Sequence, residues 1–334
     1  MFNRVRNKKP VYTGKHGDVP TRITHYHYDE TTLKMSNSFK PLPLAKHYIE
    51  VVGLNDIDKV SSLKDYLPID SLMLEDVFNV RQRNKIEWRE GILFGVFHIN
   101  HLHQDTIHED YMSLVMTKDT LVTFHETPPF FKETLHGLFE TDSTLKQAMP
   151  DYLMYVILDL ITDGHLDVYD HLDAQASVVE SALLESGRVD QETFYHLRKQ
   201  FLKLKQCVTP TLEQLDRALS KNTALFHQEN RPYFEDLQDH LIRLDNHLSQ
   251  ERELMRHLLD LHINNQSNRM NRIMTTLTLF SAIFIPLSFL TGFFGMNFVH
   301  FDILAYEHAL AVFIGACVIV ALFMVWLFKR MKWF

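Results

Sequence analysis

Two stretches towards the C-terminal end of this chain carry no charge. No Asp, Glu, Lys or Arg lies between Arg272 and Asp302, and none lies between Glu307 and Lys329. A helix that crosses the ~30 Å hydrocarbon core of a bilayer needs roughly 20 apolar residues, and both gaps supply them. The run "ALAVFIGACVIVALFMVWLF" is too apolar for a buried hairpin in a water-soluble protein. The sequence therefore predicts a membrane protein with two spans and the lipid bilayer as a partner. The basic opening segment "MFNRVRNKKP" has no apolar core after it and does not read as a signal peptide.

The flanks orient the spans. Arg269 and Arg272 precede the first, and Lys329, Arg330 and Lys332 follow the second, whereas the connection holds only Asp302 and Glu307. The positive-inside bias puts both termini in the cytoplasm of a cell (inner) membrane protein and the connection outside. Trp326 and Trp333 bracket the inner end of the second span as interfacial anchors.

The rest of the chain reads as soluble. With a net charge of -8 it offers no basic face to a nucleic acid, so no such partner is expected. Cys207 and Cys317 form neither a disulfide framework nor a zinc site. Residues 1–150 mix strand-like runs, "GILFGVFHINH" and "SLVMTKDTLVTFHE", with helical segments such as "DSLMLEDVF". The second run breaks at Lys118-Asp119, as a hairpin would. Beyond Pro150 the texture turns helical. One helix covers 151–186 and stops at Gly187, and another follows Asp190 as N-cap to about residue 220. A third opens near Pro232 and meets no Gly or Pro until Pro286. Carried on to Gly292 it would reach about 90 Å at 1.5 Å per residue, serving as both cytoplasmic stalk and first span.

The expected fold class is therefore an α+β membrane protein. It comprises an N-terminal cytoplasmic α/β domain (1–150), a cytoplasmic helical hairpin (151–231) and a stalk helix continuous with the first span (232–293). A short outer loop (294–308), the second span (309–328) and a basic cytoplasmic tail (329–334) complete it.

One face of the long helix is unusual. Steps of three and four connect Asn271, Met274, Thr278, Ser281, Ile285, Ser288, Gly292 and Gly295, all small, polar or soft in a span otherwise rich in Leu, Phe and Ile. Continued backwards the line meets Asn264, Asp260, His257 and Glu253, whereas Leu237, Leu241, Leu244, Leu248, Met255 and Leu258 form a separate apolar stripe. Small residues serve close helix packing, but polar groups at membrane depth face a partner or water. The stripe predicts a water-lined path.

Several motifs, in order, resemble the CorA-type magnesium channel family. They are "LEDVFNVRQRNKIEW", "TLVTFHE", "DYLMYVILDLI", "PYFEDLQDH", "IPLSFLTGFFGMNF" and the tail "KRMKWF". The resemblance runs through most of the chain, with Asn84 where the family usually has proline. It implies a funnel-shaped homopentamer that conducts divalent cations and uses Mg²⁺ both as transported ion and as regulator. Gly295, Met296 and Asn297 would form the selectivity filter, with a ring of Asn297 amides at the outer mouth. Mg²⁺ gives up water reluctantly, and neutral amide oxygens can hydrogen-bond its water shell without stripping it. Gly295 is expected to leave the helix through a positive φ. Asn271, Met274, Thr278, Ser288 and Gly292 match pore positions, Ile285 stands where Met is frequent, and Asp260 matches an acidic ring at the cytoplasmic end. Asp76 and Asp236 match carboxylates that share regulatory Mg²⁺ between subunits. The usual outer loop after the filter is replaced by "VHFDILAYEH", which stays acidic and so can concentrate cations.

Other readings start from single features. A Zn²⁺ transporter of the same superfamily is the sharper one, although an intact Gly-Met-Asn favours magnesium, with Co²⁺ or Ni²⁺ as further candidate ions. A membrane-anchored metal-dependent enzyme would rest on His98, His101, His103 and His108. On a strand, His101 and His103 share one face and His98 takes the other, and no catalytic motif accompanies them. No catalytic residues are assigned, and these histidines are expected at the surface.

Overall fold

Strand runs rich in β-branched and aromatic residues assemble into one mixed sheet. In the computed structural model, which describes residues 10–29, 33–36, 46–89, 91–187, 189–221, 225–296 and 307–331, these are β1 (Arg22–Tyr28), β2 (Leu33–Ser36), β3 (Lys46–Val52), β4 (Lys85–Arg89), β5 (Ile92–His103), β6 (Thr106–Met116) and β7 (Thr120–His125). Their order is β2-β1-β3-β7-β6-β5-β4, antiparallel except for the central β3–β7 pair. β6 and β7 form the hairpin expected at Lys118-Asp119, closed by Thr117 N–H donating to Thr120 C=O at 2.8 Å. β5 and β6 turn through Gln104 and Asp105, both with positive φ (50° and 57°), the combination that matches the strands' twist in a two-residue hairpin.

Both faces of the sheet are covered, so β3 and β7 are buried almost continuously rather than alternately. Ile49, Val51, Val122, Phe124, Phe94 and Val96 on one face belong to the same core as α1 (Ile57–Ser61) and α2 (Ser71–Phe78). Asp70 starts α2 by accepting the Met73 N–H at 2.7 Å. On the opposite face Tyr26 and Tyr48 stack against Phe139 of α3 (Lys132–Thr141). A short α4 (Ser143–Gln147) leads to α5 (Pro150–Ser186). α5 ends at Gly187 with φ +64°, the left-handed cap foreseen for it, and the Gly187 N–H returns to Leu183 C=O at 3.0 Å. Asp190 then caps α6 (Gln191–Ser220) through Thr193 N–H.

α7 runs unbroken from Arg231 to Phe294, 64 residues, and α8 covers Ala309–Arg330. Pro232 falls in the first turn, where no intrahelical N–H is needed, while Pro286 lies in the interior. Leu237, Leu241, Leu244 and Leu248 are all but fully buried, as their spacing demands, and each contributes about 1.5–3 kcal/mol by leaving water. The chain divides into two compact units. One comprises Met1–Ser181 with Asp190–Arg256, and the other Ala182–Val189 with His257–Phe334.

Candidate ion pathway and regulatory carboxylates

The second unit contains two helices long and apolar enough to cross a membrane, the end of α7 and the whole of α8. Along α7, half-buried or buried positions recur at Thr275, Leu279, Ala282, Ile283, Pro286, Leu287, Leu290 and Phe294, and the Phe294 ring meets Phe313 of α8 at 5.4 Å. The predicted stripe lies elsewhere. Asn271, Met274, Thr278, Ser281, Ile285, Ser288, Gly292 and Gly295 are all exposed, as is Asp260 below them. At 3.6 residues per turn the two sets centre roughly 150° apart around the helix. A Cβ built on Gly292 would meet nothing within 4 Å. The uncharged stripe is therefore left uncovered by the chain itself, as are Leu277, Phe280, Phe284 and Phe289 elsewhere on this segment.

Three hydroxyls in this region are satisfied locally. Thr278 Oγ1 donates to Met274 C=O at 2.8 Å, Thr276 to Arg272 C=O at 2.9 Å and Thr291 to Ser288 C=O at 3.0 Å. Such back-bonding needs no partner in lipid and leaves the oxygen lone pairs as acceptors. The helix closes with Gly295 N–H on Thr291 C=O at 2.9 Å. The expected reason for this glycine needs correction, because its φ is outside the left-handed region. Close approach requires it instead, since a Cβ there would sit 2.9 Å from the Thr291 carbonyl oxygen. Met296 is the last described residue of the filter motif and is exposed, and Asn297 lies outside the described residues, as do Asp302, Lys332 and Trp333. At the other end of the second span, the Arg330 guanidinium lies 5.4 Å from the Trp326 ring, a cation–π pair suited to an interface.

The two regulatory candidates sit in the first unit, in contrasting surroundings. Asp76 on α2 is partly buried and already committed, with Lys85 Nζ at 2.7 Å and Gln82 Nε2 donating at 2.9 Å. The Lys85 ammonium is held above its usual range by these bonds to Asp76 and Glu87, which outweigh its burial. Asp236 on α7 is exposed, 3.8 Å from His240, which in turn lies 4.0 Å from Asp159 of α5. Burial, and then the charge of Asp163, push the Asp159 carboxyl above the usual range. Among the described residues no three His, Cys, Asp or Glu side chains of this single chain are grouped to hold a metal.

Asp159 and His240 fall within the family-like motifs "DYLMYVILDLI" and "PYFEDLQDH", but the sequence singles out neither as a site residue, though Asp159 and Asp163 stand one helical turn apart. Asn84, noted only as a departure, turns out to be a buried clamp. It donates to Cys207 C=O and Thr211 Oγ1 of α6 at 3.0 and 2.9 Å, and accepts the His98 N–H at 2.8 Å. The histidines also need correction. His103 and His108 are exposed, but His98 is half-buried with its Nε2 on Gln82 C=O at 2.7 Å, and His101 is buried with its ring stacked on Phe130 at 4.6 Å. Burial holds His101 below its ordinary pKa, and it is a packing residue.

A membrane transporter of divalent cations is the class of protein that this fold and sequence define. The model of the CorA-like Mg²⁺ transporter protein family matches residues 51–330, and the chain belongs to that family. It is 28% identical over 337 residues to the cobalt/magnesium transport protein CorA of Thermotoga maritima, covering 97% of this chain and 95% of that one. Over about half of each chain, 53% and 54%, it is 25% identical to the zinc transport protein ZntB of Yersinia enterocolitica. The fold matches the complete CorA magnesium transporter of Methanocaldococcus jannaschii with a TM-score of 0.80 at 19% identity, covering 94% of this chain and 99% of that one. The family is one of transporters, which removes the reading as an enzyme.

Proposed function

We propose that this chain assembles as a homopentamer in the cell (inner) membrane, with both termini cytoplasmic, and conducts Mg²⁺ into the cell along the exposed stripe of α7. The observation that carries the reading is that stripe, uncharged, mostly small or polar, and uncovered by its own chain. Two helices cannot enclose water, so copies of the same face must meet around an axis. Asn297 supplies the amide ring of the filter, which holds a hydrated ion firmly enough to select it and weakly enough to release it. Met274 and Ile285, the large apolar positions on the stripe, form constrictions that close by dewetting. Asp260 forms the acidic ring at the cytoplasmic end, and Asp76 and Asp236 of neighbouring subunits share regulatory Mg²⁺. At Asp76 the ion competes with the Lys85 ammonium, so occupancy requires plentiful internal Mg²⁺. Co²⁺ and Ni²⁺ fit the same hydrated-ion filter.

Zn²⁺ is the second reading, supported by the partial similarity to a zinc transport protein. The intact Gly295-Met296-Asn297 motif favours Mg²⁺. Flux into liposomes holding the purified protein decides between them, with Mg²⁺ expected to pass and Zn²⁺ to pass poorly. Asn297→Ala should abolish or severely reduce Mg²⁺ flux while assembly by mass measurement stays pentameric. Normal flux in assembled Asn297→Ala protein, or a stable monomer of the parent chain, refutes the reading.

A further inference from the structure

The sheet face that carries α3 also holds a cavity of about 650 Å³, well within the range of small-molecule sites. Strand alternation orders its polar groups. Arg22, Thr24 and Tyr26 of β1 share one face, and the register sets Val52, Glu50 and Tyr48 of β3 opposite them. The cavity is thus graded along the strand. At the Arg22 end, Lys59 from α1 enters, its ammonium donating to Thr21 C=O at 2.8 Å with two further N–H groups to spare. The Arg22 side chain is exposed and pairs with no carboxylate among the described residues.

One strand step inward the character changes. The Glu50 carboxylate, only 3% exposed, accepts from Lys132 Nζ at 2.5 Å, so this pair adds no net charge. Glu50 can still accept from hydroxyl groups on a ligand. A helical turn further along α3, His136 Nε2 pairs with the Tyr26 hydroxyl at 2.7 Å, and Met35 of β2 lies beside Tyr26 in register. This end is aromatic and apolar, and Pro128 also lines the cavity. From Arg22 to Tyr26 is four residues, about 13 Å at the strand rise of ~3.3 Å per residue.

We propose that this cavity binds a small organic phosphate of mononucleotide size, with its phosphate on Arg22 and Lys59, its hydroxyls on Glu50 and its apolar ring beside Tyr26 and Met35. The lining has an unneutralised cationic end, a buried acceptor and an apolar end in that order, which an inorganic anion alone would not use. The proposal is independent of the transported ion and of the pore.

Titration of the purified full-length protein with adenosine monophosphate, in EDTA so that no metal bridges the phosphate, tests it calorimetrically. Saturable binding is expected, with adenosine and inorganic phosphate each at least tenfold weaker. Arg22→Ala and Lys59→Ala should each weaken the nucleotide by about tenfold, with the melting temperature unchanged in Arg22→Ala, whose side chain is exposed at the open end. Met35→Asp should weaken adenosine monophosphate and leave any phosphate binding in place. No saturation at millimolar nucleotide, adenosine binding as tightly as its monophosphate, or undiminished affinity in Arg22→Ala would each overturn the assignment.

Discussion

The lower and upper parts of α7 are one continuous helix under opposite rules. In the lower part Leu237 and Leu244 have no measurable exposure, whereas in the upper part Phe284 and Phe289 are 62% and 70% exposed. Water forces the lower apolar stripe under α5 and its neighbours, as where Phe234 meets Tyr155 at 5.9 Å between ring centroids. Lipid removes that driving force above, since acyl chains are as apolar as leucine. What the upper part must hide is instead its polar line, which its own chain leaves open along with Phe284 and Phe289. The polar inventory follows the same division. Among the described residues every buried polar or charged side chain, from Thr21 to Glu251, belongs to the first unit.

The largest effect should come from cutting into the lower stripe. Leu244→Ala is expected to lower stability by about 2–5 kcal/mol, the range for a buried leucine, whereas Phe280→Ala, at a 60% exposed position, should change it little. Denaturant unfolding of the two variants checks this, and equal losses would break the contrast between the two parts.

Acid should act on the buried histidines of the first unit. Burial drives the His125 imidazole down to about 3, assisted by Lys132, and His165 down to about 4, assisted by His101. Both are neutral when folded and protonate near 6.5 when unfolded. Their contribution is complete above pH 6.5 and is lost as pH falls from there towards those values, at about 1.4 kcal/mol per pH unit for each histidine. Asp159 and Asp163, raised by burial, work in the opposite direction. Melting temperatures between pH 7 and 5 should therefore fall, and fall less steeply in His165→Leu. An identical slope in that variant would assign the acid sensitivity to other groups.

A smaller effect, read as current, separates the faces of the upper part. Met274→Ser or Ile285→Ser should raise resting conductance several-fold by wetting a constriction, while Phe280→Ser, away from the stripe, leaves it unchanged. Patch-clamp recording at equal expression decides, and a response to Phe280→Ser alone would move the pathway to another face. The smallest expected change is regulatory. Replacing Asp76 and Asp236 together with Asn should weaken inhibition by internal Mg²⁺ several-fold without removing conduction. An unchanged inhibition curve would leave Asp76 as the partner of Lys85 and nothing more.

Much of this architecture was legible beforehand because it is written in contiguous residues. The charge gaps, the leucine spacing from Leu237 to Leu248, the Lys118-Asp119 turn and the caps at Gly187 and Asp190 depend on neighbours within a few positions. Gly295 was legible as a necessary glycine but not for its reason, which is one carbonyl oxygen, that of Thr291. His101 could be assigned to a strand face, yet its burial depends on Phe130, which no periodicity connects to it.

By itself, then, the sequence determined where the chain meets lipid, how long its stalk is and which line of α7 is polar, since each is a property of local spacing and composition. Only the tertiary structure decided that Asn84 clamps a helix 123 residues away. It also decided that Asp236 lies near Asp159 through His240, and that Arg22, Lys59 and Lys132 converge on one cavity. Those meetings are set by sheet register and by which helix covers which face. Such long-range closures are selected by packing of the whole core, and no local pattern encodes them.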